Sequence, residues 1–160
     1  MEQISQLSEE DWNKLKEIGV LPTFDLIFGR TIRAEAGWYK KVLVVRRKIS
    51  PYVGWALPGL RQYKDEGFRD TLKRVALDEI GLKVNPRQGI IVNQADGRFQ
   101  ERQDISTAYF FHLTSEDESK IILNQDHFKS HKFLYLNNTS DIPRNMGSIY
   151  RSHLTAYLEH

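Results

Sequence analysis

The chain has 160 residues, which is enough for one domain with a sizeable core and too few for two. Hydrophobic residues make up 40% and aromatic residues 11%, as is typical of a globular protein rather than a disordered one. The net charge of +2 gives no reason to expect binding to nucleic acid or to a membrane. Because the sequence has no cysteine, disulfides, thiolate zinc sites and a cysteine nucleophile are excluded.

The ends of the chain bear on its boundaries and location. The sequence has no run of about eighteen apolar residues, and its first residues lack the basic and apolar regions of a signal peptide. We therefore expect a cytoplasmic protein with a single domain over residues 1–157. Residues 158–160 have the sequence Leu-Glu-His, which is typical of an expression-tag remnant, and we expect no structural role for them.

The first part of the chain predicts a helix followed by strands. Ser8 and the three acidic residues after it form a capping box that begins a helix, and Gly19 ends it. A strand over Thr23–Phe28 and a turn over Arg30–Gly37 follow. The near-continuous apolar run over Lys41–Arg47 predicts a strand that is covered on both faces.

The rest of the chain predicts further strands and a closing helix. Strands are expected at Trp55–Leu57, Gly89–Asn93, Ile105–Thr114 and Lys132–Leu136. Breaker and polar residues predict loops at Ser50–Gly54 and Gln94–Asp104, an acidic turn at Ser115–Lys120, and then a helix at Gly147–Tyr157. This order of elements predicts the α/β class, with a mixed sheet sandwiched between helices.

A charged loop and one helix follow the turn at Gly59 and are the most informative part of the sequence. An apolar stripe at helical spacing predicts the helix: Phe68, Leu72, Val75 and Ala76. Gly81 supplies a C-terminal stop. At about 100° per residue, Glu79 projects within about 20° of Phe68, on the buried side. A carboxylate there needs a cation or a hydrogen-bond donor to offset its desolvation.

Two further charged residues lie on the other side of the predicted helix. Asp78 follows Arg74 by four residues, so the two can pair along the helix. By periodicity alone, an ordinary amphipathic helix with a charged end fits these residues equally well.

The segment Gly59–Leu82 resembles the Nudix box, a loop–helix–loop that binds a divalent cation and a nucleoside diphosphate linked to another group. Over nearly the whole chain the sequence is similar to the GDP-mannose mannosyl hydrolase family, a Nudix group. Further matching segments are Leu21–Ile27, Arg46–Arg47, Trp55–Arg61, Lys64–Glu66 and Asp104–Tyr109. The resemblance implies the Nudix α/β/α fold and, in general, a homodimer.

Val75 and Leu60 are departures of the chain from the Nudix pattern that bear on its function. The pattern Arg-Glu-x-x-Glu-Glu has Val75 in place of its first glutamate, which in the general family helps to hold metals for attack at phosphorus. The mannosyl hydrolases also have an apolar residue there and attack the anomeric carbon of the sugar, so Val75 favours that group. Leu60 replaces the second glycine of the family's Pro-Gly-Gly turn. Both changes equally suit a Nudix domain that has lost catalysis.

The resemblance implies a metal site. Glu79 and the backbone carbonyl of Gly59 would bind Mg²⁺, or Mn²⁺ in its place, through hard oxygen ligands. Asp78 and Gln125 are further candidate ligands, since the family has a glutamine ligand on a loop before the last strand. The ion would draw charge off the diphosphate and make it a better leaving group.

The resemblance also implies a substrate site. Arg46 and Arg61 would hold the leaving diphosphate, because a guanidinium fork matches phosphate geometry. Asp25 would contact or orient the sugar, and Asp104 would lie on the substrate side. Arg74 would brace the box and the leaving group. The alternative for each arginine is a surface salt bridge that contributes at most about 1 kcal/mol.

The general base is left open between two histidines. The family's glutamine and histidine are adjacent, whereas the corresponding loop is about two residues longer here. Counting forward along the chain places the base at His127, and counting back from the last strand places it at His131. Either histidine has the pKa range to activate water. The third possibility is that neither does.

The sequence therefore predicts Mg²⁺-dependent hydrolysis of a nucleotide sugar, of the GDP-mannose or GDP-glucose type, at the anomeric carbon. One alternative is a conventional Nudix pyrophosphohydrolase in which Glu66, Asp78 and Glu79 share the metal. The other is a nucleotide-binding Nudix module without catalysis.

Overall fold

The computed structural model describes residues 8–160. Its helices are α1 (Glu9–Ile18), α2 (Phe68–Ile80), α3 (Ser115–Ser119) and α4 (Ser148–Glu159). Its strands are β1 (Val20–Ala34), β2 (Gly37–Arg47), β3 (Gly54–Ala56), β4 (Gly59–Arg61), β5 (Ile90–Arg98), β6 (Gln103–His112) and β7 (Phe128–Leu136). No helix within this part of the chain is long and apolar enough to cross a membrane.

The strands form one mixed sheet, and the predicted α/β class is confirmed. Its order is β3-β2-β1-β6-β5, with β4 paired to β1 and β7 paired to β2. β1 and β6 run parallel, whereas the other pairs are antiparallel. β1 is the middle strand of this order, and residues 42–45 of the neighbouring β2 have no exposed surface, as expected of a strand covered on both faces.

The predicted ends of α1 and α2 agree with the structure, whereas α4 continues to Glu159, so the expectation of no structural role for residues 158–160 is wrong for Leu158 and Glu159. The Ser8 hydroxyl accepts a hydrogen bond from the backbone N–H of Asp11 and so caps α1, although the reciprocal half of the predicted capping box does not form. α2 begins after Gly67 and ends at Gly81, which adopts φ +70°. Glycine suits this position because a side chain is strained in the left-handed region.

Three predicted loops are wrong. Residues 30–34 continue β1, so that only residues 35–36 form the turn to β2. Residues 94–98 continue β5 and pair with β6. Backbone hydrogen bonds hold these extensions, and a strand with a solvated face needs no apolar run. Residues 115–119 form a short helix because Thr114 and Asp117 build a capping box there.

One member of the predicted apolar stripe of α2 is not buried. Phe68 is 62% exposed, whereas Leu72, Val75 and Ala76 are buried. Phe68 is the first residue of the helix, and its ring lies beside the core residue Phe24, with 5.7 Å between ring centroids.

Candidate functional site

A pocket of about 130 Å³ lies beside Gly59, which is the first residue of β4 and not part of a turn as the sequence predicted. Its charged lining residues are Asp25, Asp104, Arg47, Arg61 and Arg102. Three guanidinium groups and two carboxylates therefore share one small space, together with the aromatic side chains of Trp12, Phe99 and Tyr150. Such a lining suits a ligand that carries both anionic groups and hydrogen-bond donors.

β2 brings Arg47, not Arg46, to this pocket. Arg47 is 9% exposed and donates hydrogen bonds to the carbonyl oxygens of Ile49 and Ser50, at 3.1 and 3.0 Å. Arg46 is exposed, and its guanidinium lies 5.8 Å from the Trp55 ring centroid. Successive side chains of a strand point to opposite faces, so only one of two adjacent arginines can line the pocket. Arg46 is therefore not among the residues that line this pocket, and its contact with a diphosphate stays a prediction.

The other two pocket arginines come from β4 and from the turn before β6. The Arg61 guanidinium lies 4.5 Å from the Trp12 ring centroid, and burial lowers the pKa of Arg61. Arg102 pairs with Asp104, with 3.1 Å between Nη2 and Oδ2 and 3.0 Å between Nε and Oδ1. Burial raises the pKa of Asp104, and the charge of Arg102 opposes that rise.

Asp25 is buried at the inner end of the pocket, where β1 pairs with β4. It is the register partner of Gly59. A Cβ atom on residue 59 would lie 2.0 Å from Asp25 Oδ1, so only glycine permits this close approach of β4 to the carboxylate. The second oxygen, Oδ2, accepts a hydrogen bond of 2.6 Å from the Ser106 hydroxyl.

Glu79 forms a second group with His127 at the C-terminal end of α2. The Glu79 side chain has no exposed surface, and its Oε1 contacts His127 Nδ1. Oε2 is also buried and has no hydrogen-bond partner among the described residues. Burial raises the pKa of Glu79, while the neighbouring His127 lowers it. A buried carboxylate oxygen without a hydrogen-bond partner is suited to binding a cation.

Backbone hydrogen bonds hold His127 in place. The N–H of Asn124 bonds to the carbonyl of Glu79 at 2.9 Å, and the N–H of His127 bonds to the carbonyl of Asn124 at 3.1 Å. The carbonyl of His127 accepts a hydrogen bond of 2.9 Å from the N–H of Lys48. The loop that carries His127 is therefore docked on the end of α2 and on the end of β2.

No family model and no curated protein matches the sequence. Solved structures do match. A MutT/nudix family protein from Enterococcus faecalis superposes with a TM-score of 0.69 at 14% identity, over 95% of this chain and 73% of that chain. The NUDIX domain of Shewanella oneidensis NrtR, complexed with ADP ribose, gives 0.66 at 17% identity, over 96% and 98%. The chain has the Nudix fold.

A further Nudix-fold neighbour contains a metal ion. It is a bifunctional NMN adenylyltransferase/ADP ribose pyrophosphatase from Francisella tularensis, complexed with AMP and a Mn ion. The TM-score is 0.64 at 22% identity, and the match covers 94% of this chain and 44% of that chain. The present chain thus spans less than half of that protein.

Within this Nudix fold, Arg74 connects the box loop to the box helix. Arg74 Nε and Nη2 donate to the Glu66 carboxylate at 2.6 and 2.9 Å, and Nη2 also donates to the carbonyl of Arg61 at 2.7 Å. Glu66 accepts further hydrogen bonds from the Tyr63 N–H and the Thr71 hydroxyl. The predicted Arg74–Asp78 ion pair is wrong because the Arg74 guanidinium pairs with Glu66 instead.

Three other candidate residues are exposed, do not line the pocket and make no hydrogen bond to Glu79 or His127. Asp78 and Gln125 are exposed, and the Gln125 amide reaches only the carbonyl of Leu123, at 3.5 Å. His131 is exposed on β7 and makes no side-chain hydrogen bond within residues 8–160. β7 begins at residue 128, four residues earlier than predicted, so His131 belongs to a strand instead of the loop.

The residues present fit a divalent cation only as a partial site. No group of three or more histidine, aspartate or glutamate side chains within the described chain is arranged to hold a metal. Val75 is apolar, and Glu66 is occupied by Arg74. Glu79 Oε2 remains as one unpartnered carboxylate oxygen near the end of α2. One carboxylate is sufficient for Mg²⁺ when substrate phosphates and water complete its coordination.

Sequence reasoning missed Arg47 and Arg102 in the pocket, and also the buried pair Ser106 and His153. No local pattern distinguished Arg47 from Arg46, because Val44 and Val45, which lie two residues before each of them, are both completely buried. No local pattern marks His153, because its partners come from strands more than forty residues away.

Proposed function

We propose that this protein hydrolyses a nucleoside diphosphate sugar, of the GDP-mannose or GDP-glucose type, by attack of water at the anomeric carbon. The observation that carries the proposal is the pair formed by Glu79 and His127. A buried carboxylate with one unpartnered oxygen contacts a histidine whose side chain is 25% exposed. One metal-binding carboxylate and one base are the components that this reaction needs.

The composition of the pocket supports a ligand with a diphosphate and a sugar. Arg47 and Arg61 offer guanidinium groups to phosphate oxygens. Asp25 and Asp104 offer carboxylate oxygens, which accept hydrogen bonds from sugar hydroxyls. The ADP ribose bound to the structural neighbour is itself a nucleoside diphosphate joined to a sugar, which agrees with this class of ligand.

His127 is the proposed general base. The Glu79 carboxylate lies much nearer to Nδ1 than the Asn124 amide nitrogen, which is 3.4 Å away, so we assign Nδ1–H as the donor to Glu79. This leaves the lone pair on Nε2, as a base that receives a proton from water requires. His131 is exposed on β7 and lacks such an orienting partner. Of the two histidines that the sequence left open, His127 therefore has the geometry of a base.

The proposed reaction balances with these groups. The oxygen of water bonds to C1 of the sugar, and the bond between C1 and the diphosphate oxygen breaks with its electron pair on the diphosphate. Nε2 of His127 takes the proton of the attacking water. Glu79 and the Gly59 carbonyl would hold Mg²⁺ or Mn²⁺, which when bound lowers the charge on the leaving diphosphate.

A second candidate function follows from the incomplete metal site. Because the described residues form no cluster of three metal ligands, a Nudix domain that binds a nucleotide sugar without hydrolysing it is the main alternative. A conventional pyrophosphohydrolase is less favoured, since Glu66 is bound to Arg74 and Asp78 is exposed. The homodimer and the cytoplasmic location also stay predictions.

The deciding experiment identifies the products formed from GDP-mannose and Mg²⁺ in water labelled with ¹⁸O. We expect GDP and free mannose, with the label in mannose, because attack is at carbon. GMP and mannose 1-phosphate, with the label in a phosphate group, would make the protein a pyrophosphohydrolase. A nucleotide sugar that raises the melting temperature but yields no product would indicate a binding module.

A further inference from the structure

Four polar side chains from four different elements form a hydrogen-bonded polar network that ends at Asp25, and all of them except the partly buried Asn93 are buried. Asp25 Oδ2 accepts a hydrogen bond of 2.6 Å from Ser106 Oγ. Ser106 Oγ lies 2.9 Å from His153 Nε2, and His153 Nδ1 lies 3.1 Å from the amide nitrogen of Asn93. Ser106 and His153 have no exposed surface. The polar network therefore extends from Asn93 on β5 through His153 on α4 and Ser106 on β6 to Asp25 on β1.

The donor and acceptor atoms of the polar network determine which group donates in each hydrogen bond. An amide nitrogen only donates, so His153 Nδ1 accepts from Asn93 and the proton of a neutral imidazole lies on Nε2. His153 Nε2–H donates to Ser106 Oγ, and the Ser106 hydroxyl donates to Asp25. Ser106 is not a nucleophile in this arrangement, because its hydroxyl is buried and its proton is committed to the carboxylate.

An irregularity in the β5 backbone lies next to Asn93, the first member of the polar network. The pairing of β5 with β6 shifts register between Ile91 and Asn93, which marks a β-bulge. A bulge redirects the side chains that follow it, and such irregularities are frequent beside functional sites. Burying this many polar groups is costly unless each is hydrogen-bonded, whereas apolar side chains would fill the same space at no such cost.

The two oxygens of Asp25 have different surroundings. Oδ2 is held inward by Ser106, with His153 Nε2 also 3.4 Å away. Oδ1 lies against Gly59 and the pocket, and no described residue donates a hydrogen bond to it. The carboxylate thus has one oxygen fixed by the protein and one available to a ligand.

We propose that His153 and Ser106 are positioning residues that hold the Asp25 carboxylate so that Oδ1 accepts a hydrogen bond from the sugar of a bound nucleotide sugar. The inference rests on the proposed function and adds a specificity element to it. It requires that the binding and hydrolysis of nucleotide sugars depend on this polar network. The binding of free nucleoside diphosphates, which lack the sugar, should not depend on it.

The test compares His153→Phe and Ser106→Ala with His153→Gln, whose amide replaces the Nε2–H donor. We expect the first two to lower kcat/KM for GDP-mannose by about tenfold to a hundredfold, the value of a hydrogen bond to a charged group. We expect His153→Gln to recover part of this loss. The inhibition constant of GDP should stay within about twofold in every variant, since phosphate binding does not use Asp25.

Combining each change with Asp25→Asn gives a sharper measurement. If His153 acts through Asp25, His153→Phe should lower kcat/KM of the Asp25→Asn protein little further. Full additivity would overturn the proposal. If His153→Phe fails to fold, Ser106→Ala provides the same test. His112→Gln on β6 is the control, because His112 is a histidine that does not belong to the polar network.

Two outcomes separate this inference from the proposed function. If the wild-type protein hydrolyses GDP-mannose and His153→Phe matches His153→Gln in kcat/KM, the positioning role alone is overturned. If the wild-type protein neither hydrolyses nor binds nucleotide sugars, the proposed function fails and the sugar-positioning role fails with it. Long-range ¹H–¹⁵N spectra identify the tautomer of His153 and so test the hydrogen bonds in either case. An Nδ1–H tautomer would contradict the proposed polar network.

Discussion

At the scale of single residues, neighbours in sequence have very different surroundings. Arg46 is exposed beside Trp55, whereas Arg47 lines the pocket. Asp78 is exposed, whereas Glu79 is completely buried. Each pair has nearly the same chemistry, so its members serve as matched variants for testing which side chain takes part in function.

The two arginines are separated by paired substitutions. We expect Arg47→Gln to raise the KM for a nucleotide sugar by about tenfold, because a charge-assisted hydrogen bond to phosphate is lost. Arg46→Gln should change it by less than about twofold, as is usual for an exposed charge. Steady-state kinetics with the melting temperature of each variant measures this, since Arg47 also supports the carbonyls of Ile49 and Ser50. Equal effects would remove Arg47 from the substrate site.

The two acidic residues are tested in the same way. We expect Glu79→Gln to lower kcat by about a hundredfold or more, since a metal ion contributes several kcal/mol to stabilising the leaving group. Asp78→Asn should have little effect because Asp78 is exposed and contacts no pocket residue. Titration with Mn²⁺ in the presence of GDP should show weaker ion binding only for Glu79→Gln. Small and equal losses would show that Glu79 is not the metal ligand.

The two candidate bases form a third matched pair. We expect His127→Ala to lower kcat by about 10²- to 10⁴-fold, the usual contribution of general base catalysis, and His131→Ala to leave it nearly unchanged. The measurement is single-turnover hydrolysis of GDP-mannose. A larger loss in His131→Ala would reverse the assignment and would mean that β7 rearranges when substrate binds.

At the scale of elements, the box loop is attached to α2 by Glu66. This carboxylate accepts hydrogen bonds from Arg74, from the N–H of Tyr63 and from the Thr71 hydroxyl. Burial raises the pKa of Glu66, but these hydrogen bonds outweigh it and hold the pKa below the usual value of 4.5. The loop that precedes the site is therefore fixed by an ionised carboxylate.

This attachment predicts a pH dependence. An acid whose pKa is lower in the folded state stabilises the fold above its unfolded pKa and loses that contribution as the pH falls through the folded pKa. At neutral pH we expect Glu66→Gln to reduce the free energy of unfolding by about 1–3 kcal/mol. Below pH 4.5 the difference from wild type should shrink towards zero, as measured by urea unfolding. A difference that is independent of pH would mean that shape rather than charge matters.

At the scale of the whole molecule, the pocket gathers residues from α1, β1, β2, β4, β6 and α4, with Trp12 and Tyr150 from the two terminal helices. A ligand in this space contacts elements that are distant in the chain. Its binding should therefore oppose unfolding of the molecule as a whole, and not only of one loop.

Ligand-dependent melting tests this expectation. GDP-mannose at about 100 times its dissociation constant should stabilise the protein by about 2.7 kcal/mol, which corresponds to about 5–10 °C in melting temperature at this chain length. Free mannose is the control, because it lacks the phosphates that the arginines bind. The absence of any shift with GDP-mannose, GDP or ADP ribose would contradict nucleotide binding at the pocket.

Long, periodic segments of the sequence were predictable. The apolar stripe and the final glycine placed α2 within one residue, and the apolar run placed the buried part of β2. Strand extensions over residues 30–34 and 94–98 were not predictable, because backbone pairing with a distant strand stabilises them instead of an apolar pattern. The exposed ring of Phe68 also shows that position at a helix end outweighs periodicity.

The sequence by itself determined the helix with a buried Glu79, the glycine that ends it and the α/β class. Those features depend on periodicity and on turn residues, which are local properties of the chain. Only the tertiary structure decided that Arg47 faces the pocket, that His127 contacts Glu79 and that His153 connects to Asp25. These choices depend on strand register and on the docking of loops from distant parts of the chain, which no local pattern encodes.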